Sequence, residues 1–168
     1  ISACCSVPDV SIEYITTDSR EVKSGDLFFA LNGNTDSGEA YVDVVVHSGA
    51  FAVTSTRKGE NCLSVESTSD ALLALTSYYL DSLPLLKERI CITGSVGKST
   101  AKSFLCTLLS EKLNVHSTIG NFNNDIGVPL TVLSTPHDCE AIILELGTNH
   151  PGEIRRLSVC VRPTVSLI

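Results

Sequence analysis

The run Thr93-Gly94-Ser95-Val96-Gly97-Lys98-Ser99-Thr100 constrains this chain more than any other stretch. It follows the apolar run Arg89-Ile90-Cys91-Ile92 and precedes Ala101, Phe104, Leu105, Leu108 and Leu109, which recur at helical i, i+3, i+4, i+7, i+8 spacing. Strand, glycine loop, Lys-Ser and helix, in that order, predict a phosphate-binding loop. Each residue type has a reason. Gly94 and Gly97 let the backbone turn tightly and bring its N–H groups against phosphate oxygens. Lys98 reaches toward β- and γ-phosphates, the Ser99 hydroxyl suits Mg²⁺, and the helix start adds its positive end. A glycine turn alone often does nothing but turn, and the strict motif asks for glycine where this chain has Ile92. The helical pattern behind the loop decides for an ATP site, and the Ile92 departure points to one branch of such proteins.

Composition narrows the partners. The net charge is −7 and no Lys/Arg cluster occurs, which argues against nucleic acid. No apolar run approaches membrane-spanning length and no signal-peptide pattern opens the chain. The cysteines, Cys4, Cys5, Cys62, Cys91, Cys106, Cys139 and Cys160, are scattered, with no C-x-x-C pair to hold zinc. Reduced thiols in a cytoplasmic protein are expected. The first residue is Ile1, and Pro163–Ile168 reads as an unaccompanied apolar strand, so a piece of a longer enzyme is expected.

Two domains are expected. Residues 1–83 read as a small mixed α/β unit: strands over Val10–Thr17, Asp26–Leu31, Phe51–Thr54 and Cys62–Val65, and helices over Glu39–Ser48 and Ser67–Leu80. Ser67 or Thr68 caps the second helix, and Leu83-Pro84 offers a hinge. Residues 84–168 read as the first part of a mostly parallel-sheet, phosphate-loop domain, with strands near 89–93, 114–118, 141–146 and 164–168. Ala141-Ile142-Ile143-Leu144 lacks alternation, as a strand buried on both faces does. Ligands then belong at the carboxyl ends of the strands.

Three further constellations fall at strand ends. Gly120-Asn121-Phe122-Asn123-Asn124-Asp125-Ile126-Gly127-Val128-Pro129 is rich in amides; it is either a set of turns or a surface for a polar substrate. Glu145, in Ile143-Leu144-Glu145-Leu146-Gly147-Thr148-Asn149-His150, is a carboxylate at the end of a buried strand, costly unless it meets a cation such as Mg²⁺. His150 is a substrate contact or a neighbour of the helix start at Pro151-Gly152-Glu153, while His47, His116 and His137 carry no visible partner. Asp18-Ser19-Arg20 is a surface ion pair in a turn or a contact for an anion.

Taken together these residues resemble the Mur ligase family. The resemblance is carried by Asp18-Ser19-Arg20, Gly25–Gly33, the Thr93–Thr100 loop, Gly120–Pro129 and Glu145–Ile154, in matching order along nearly the whole chain. It implies an ATP-dependent amide ligase of peptidoglycan synthesis in the bacterial cytoplasm, monomeric, joining D-Ala-D-Ala to UDP-N-acetylmuramoyl-tripeptide through an acyl phosphate. On the resemblance, Lys98 is catalytic, Thr93–Thr100 hold ATP, and Ser99 and Glu145 hold Mg²⁺. Asn123, Asn124, Asn149 and His150 line the substrate side, and Ser19, Arg20, Asn32 and Gly33 meet the UDP portion. The family's carbamylated lysine, its metal-binding histidine and its third domain are expected beyond residue 168, so the piece alone is expected to be inactive. The turn Asp36-Ser37-Gly38-Glu39 departs from the family's Asp-Gly-His-like pattern and puts a contact from that turn in question. The runners-up are a sister ligase adding the third amino acid, a folylpolyglutamate-type ligase, and a non-catalytic ATP-binding module.

Overall fold

The structure is a computed structural model that describes residues 10–33 and 36–168; Cys4 and Cys5 lie outside the described residues. The chain divides into two compact units, Ile1–Leu72 and Leu73–Ile168.

The first unit is built on four strands, β1 (Ile15–Thr16), β2 (Leu27–Phe29), β3 (Phe51–Thr54) and β4 (Cys62–Ser64), paired in that order and all parallel. A 3₁₀ turn at Gly38–Tyr41 leads into helix α1 (Val42–His47). Helix α1 sets Val42 and Val45 against Phe28, Ala30, Ala50 and Ala52. The expected strand over Val10–Thr17 shrinks to two residues. Only Ile15 and Thr16 find partners, on Leu27 and Phe28. Val10 and Tyr14 are exposed, so the alternation before Ile15 has no core to face.

Helix α2 (Thr68–Ser82) starts where Ser67 Oγ accepts the Asp70 N–H at 3.2 Å, which decides between the two candidate caps. The division between the units falls inside this helix. Its later residues Leu73 and Leu80, with Leu83 beyond it, are buried among Cys91, Ile142, Leu144, Leu157 and Val161.

The second unit alternates strand and helix: β5 (Glu88–Ile92), α3 (Lys98–Ser110), β6 (Val115–Ser117), α4 (Gly127–Leu133), β7 (Ala141–Glu145), α5 (Glu153–Val161) and β8 (Val165–Leu167). The strands are parallel in the order β6-β7-β5-β8. Every residue of β7 is buried, as its unbroken apolar run requires. Ile90, Ile92 and Ile143 face Ala101, Leu105 and Leu109 of α3. Cys91, Ile142 and Leu144 turn the other way, toward Val128 and Val132 of α4 and Leu157 of α5. Helix α4 has no counterpart among the expected elements. Val128 and Pro129 are buried in its first turn, where a proline lacks nothing a helix needs.

The described cysteines are free, and Cys91, Cys139 and Cys160 are buried; burial pushes the Cys91 thiol up to about 12. No helix among the described residues is long and apolar enough to cross a membrane.

Ile143 lies at the centre of β7 and is fully buried. Ile143→Ala is expected to cost about 2–5 kcal/mol of unfolding free energy, read as a lower urea midpoint with an unchanged slope.

Candidate functional site

The β5–β7 register brings Ile92 level with Glu145. The glycine loop therefore leaves its strand beside a buried strand that ends in a carboxylate. Two bonds tie the exits together: Leu146 N–H donates to Ile92 O at 2.8 Å, and Thr93 Oγ1 donates to Leu146 O at 3.0 Å.

The loop backbone is in the left-handed region at Gly94 (φ 126°) and Gly97 (φ 86°). Gly97 is the residue that caps α3, and it offers no side-chain acceptor to the first turn. The opening N–H groups of a long helix are thus left for an anion. Lys98 Nζ donates to Gly94 O at 2.7 Å, folding the ammonium over the loop. Val96 stands almost wholly exposed at the tip.

Ser99 Oγ donates to Glu145 Oε2 at 3.0 Å. Glu145 is only 2% exposed, and its Oε1 lacks an aligned hydrogen-bond donor. Lys102 Nζ does lie 2.8 Å from Oε1, as a charge contact without hydrogen-bond geometry. A hydroxyl and a carboxylate oxygen facing one another, Ser99 Oγ and Glu145 Oε2, fit a hard cation such as Mg²⁺. Among the described residues no cluster of three or more His, Cys, Asp or Glu exists that could hold a metal. A cation here would need further oxygens from a phosphate or from water.

Beyond the carboxylate, Gly147 N–H donates to Asn123 O at 2.7 Å. A Cβ on Gly147 would meet Asn123 Oδ1 at 2.8 Å, so a side chain there would push the Asn123 amide out of its present place. Asn124 serves the fold directly, because its Oδ1 accepts the Gly127 N–H at 2.8 Å and so holds the start of α4. Asn149 and His150 follow β7 with exposed side chains. Their backbone N–H groups donate to Glu153 Oε2 at 2.7 and 3.1 Å, and these bonds hold the Glu153 carboxyl below its usual range.

Lys102 and Thr118 join the site only in the folded chain. Thr118 Oγ1 accepts the Glu145 N–H at 3.1 Å, and Thr118 O accepts from Lys102 Nζ at 2.7 Å. The spacing of Lys102 behind Ser99 is the signal that sequence offers for it, since residues three apart share a helix face.

The histidines outside the site have local partners. His116 Nε2 lies 3.1 Å from Thr131 O, and burial pushes its imidazole down. His47 Nδ1 is 2.6 Å from Asp43 O, and the His137 ring meets Tyr79 edge-on at 6.0 Å.

Ser19, Arg20, Asn32 and Gly33 belong to the first unit, where they follow β1 and β2. Arg20 Nε donates to Asp18 Oδ1 at 2.8 Å and Nη2 to Oδ2 at 2.5 Å. This guanidinium holds the Asp18 carboxyl down at about 2. Asn32 bridges to Ser37, whose Oγ donates to Asn32 Oδ1 at 2.6 Å, and Gly33 N–H donates to Asp36 O. Glu39, in the turn that departs from the family pattern, accepts from Ser55 N–H at 2.6 Å and from the hydroxyls of Thr54, Ser55 and Thr56. Its carboxylate fastens that turn to the end of β3.

A parallel sheet with a glycine loop, Lys-Ser and a buried carboxylate at neighbouring strand ends defines a nucleotide-binding class, and known proteins narrow it. Residues 92–168 match the Mur ligase middle domain. That stretch of the chain belongs to the Mur ligase family. The chain is 36% identical over 168 residues to the UDP-N-acetylmuramoyl-tripeptide–D-alanyl-D-alanine ligase of Synechocystis, with 95% of this chain and 36% of the relative covered. The crystal structure of MurF from Acinetobacter baumannii superposes with a TM-score of 0.88 at 37% identity, covering 95% of this chain and 36% of that one. The MurF ligase of Thermotoga maritima in complex with ADP superposes at 0.81 with 31% identity, covering 89% and 35%. The chain thus spans about a third of the length of the curated relatives it matches.

The Asp18–Arg20 pair yields a titration test. In Arg20→Ala the Asp18 carboxyl is expected to return from about 2 toward 3.8, followed by NMR of its side chain. A depressed carboxyl stabilises the fold above its unfolded value. The pair's small contribution is therefore present above about pH 4 and is lost as pH falls toward 2.

Proposed function

We propose that this chain is part of an ATP-dependent ligase that adds D-Ala-D-Ala to UDP-N-acetylmuramoyl-tripeptide. The observation that carries the reading is the Ser99–Glu145 pair, 3.0 Å apart beneath a glycine loop whose helix N–H groups are left uncapped. That is the arrangement a nucleoside triphosphate with its cation needs, and relatives named for this activity contain a stretch similar to this chain.

A carboxylate is a poor electrophile because it is already negative and lacks a leaving group. In the proposed reaction the tripeptide carboxylate oxygen attacks the γ-phosphorus and ADP departs. The dipeptide amine then attacks the acyl phosphate, loses a proton and expels inorganic phosphate, leaving an amide. Positioning and charge neutralisation carry most of such a transfer.

Within that reaction the Thr93–Thr100 backbone grips the phosphates, and Lys98 leaves Gly94 O to follow charge on the transferring group. Ser99 and Glu145 would hold Mg²⁺, which would neutralise phosphate charge. Asn123, Asn149 and His150 line the acceptor side. Asn124 joins them through its amide nitrogen, since its oxygen is committed to α4. Ser19, Arg20, Asn32 and Gly33 meet the UDP portion, with Arg20 exchanging Asp18 for a phosphate oxygen. The enzyme of this reading is a monomer, and its nucleotide-linked substrates call for a cytoplasmic location.

The test is phosphate release by the full-length protein with ATP, Mg²⁺, D-Ala-D-Ala and UDP-N-acetylmuramoyl-tripeptide. Release is expected to require both acceptors and to fall at least about a hundredfold in Lys98→Ala. Nucleotide binding with no phosphate release under any acceptor would replace the ligase with an ATP-binding module.

A further inference from the structure

Lys102 lies one helical turn beyond Lys98 on α3, and the reaction above leaves it unused. Its side chain is 12% exposed, unusual for a lysine, and its ammonium meets two oxygens: Thr118 O at 2.7 Å and Glu145 Oε1 at 2.8 Å. The opposite carboxylate oxygen, Oε2, accepts from Ser99. Ser99 and Lys102 thus approach from one face of α3 and take one carboxylate oxygen each. The main chain of Glu145 is fixed as well, through its N–H on Thr118 Oγ1.

We infer that Lys102 is a positioning residue for the cation-binding pair: it holds Glu145 by Oε1 so that Oε2 stays turned toward Ser99. The inference rests on the nucleotide reading proposed above. A lysine that merely competed with the cation would have only the carboxylate to hold. Lys102 also has Thr118 O, a backbone anchor that keeps it in place when a dication meets Oε2. Partners that orient a metal ligand from behind are typically worth about 10–100-fold in metal affinity.

The test is calorimetric binding of ADP to the full-length protein, with and without Mg²⁺, for wild type, Lys102→Met and Lys102→Arg. Without Mg²⁺ all three are expected to bind ADP alike. With Mg²⁺ the tightening seen in wild type is expected to shrink about 10–100-fold in Lys102→Met and to return in large part in Lys102→Arg. Removing the ammonium leaves a buried carboxylate without its partner. If Lys102→Met fails to fold, Lys102→Gln, which keeps a donor for Thr118 O, is measured instead with the same loss expected. Unchanged or stronger tightening in the variant overturns the positioning role. So does a loss that is equal with and without Mg²⁺, which marks a purely structural residue. Wild type that binds no ADP in either condition overturns the nucleotide reading itself, and the inference with it.

Discussion

A carboxylate buried to 2% exposure at the end of a strand covered on both faces is the constraint around which the second unit is arranged. An uncompensated charge in that position would cost several kcal/mol, roughly, so the surroundings must supply donors and positive charge. They do so with three residues from two elements: Ser99 and Lys102 from α3, and Thr118 just past the end of β6. Helix α3 can deliver both side chains only because it packs on Ile90, Ile92 and Ile143. The apolar core and the polar cluster are therefore one construction. The packing sets the helix, and the helix sets the charges.

Parallel pairing does the rest. Since β5, β6, β7 and β8 all run the same way, their following loops emerge at one edge of the sheet. The glycine loop, the asparagine-rich run and the Thr148–His150 segment therefore become neighbours by topology rather than by sequence. The bond from Gly147 N–H to Asn123 O is the point where two of these loops meet. The first unit repeats the principle on a smaller scale. Its four parallel strands carry Arg20 after β1, Asn32 after β2, and the Thr54–Thr56 hydroxyls gathered by Glu39 after β3.

Much of this is legible in the sequence. The glycine loop, the helical spacing behind it and the unbroken apolar run of β7 each follow from local chemistry, and each strand of the second unit falls within a residue or two of its expected place. What is not legible depends on contacts between distant residues. Lys102 reads as an ordinary helix lysine until β7 lies beside α3. Asn124 reads as a site residue until α4 forms and its Oδ1 takes the Gly127 N–H, and Glu153 reads only as a helix start until its carboxylate gathers the N–H groups of Asn149 and His150. Helix α4 is hidden because Asn, Gly and Pro all signal turns, although Gly127–Pro129 opens a buried helix. The strand expected from Val10 is an alternation with nothing beneath it.

The most direct test of the central claim is a crystal structure of the full-length protein with ADP and Mg²⁺. The account predicts the β-phosphate seated on the N–H groups that open α3, with the magnesium ion coordinated by Ser99 Oγ and facing Glu145. A diphosphate bound outside the Gly94–Thr100 loop, or a metal ion remote from Ser99 and Glu145, would contradict it.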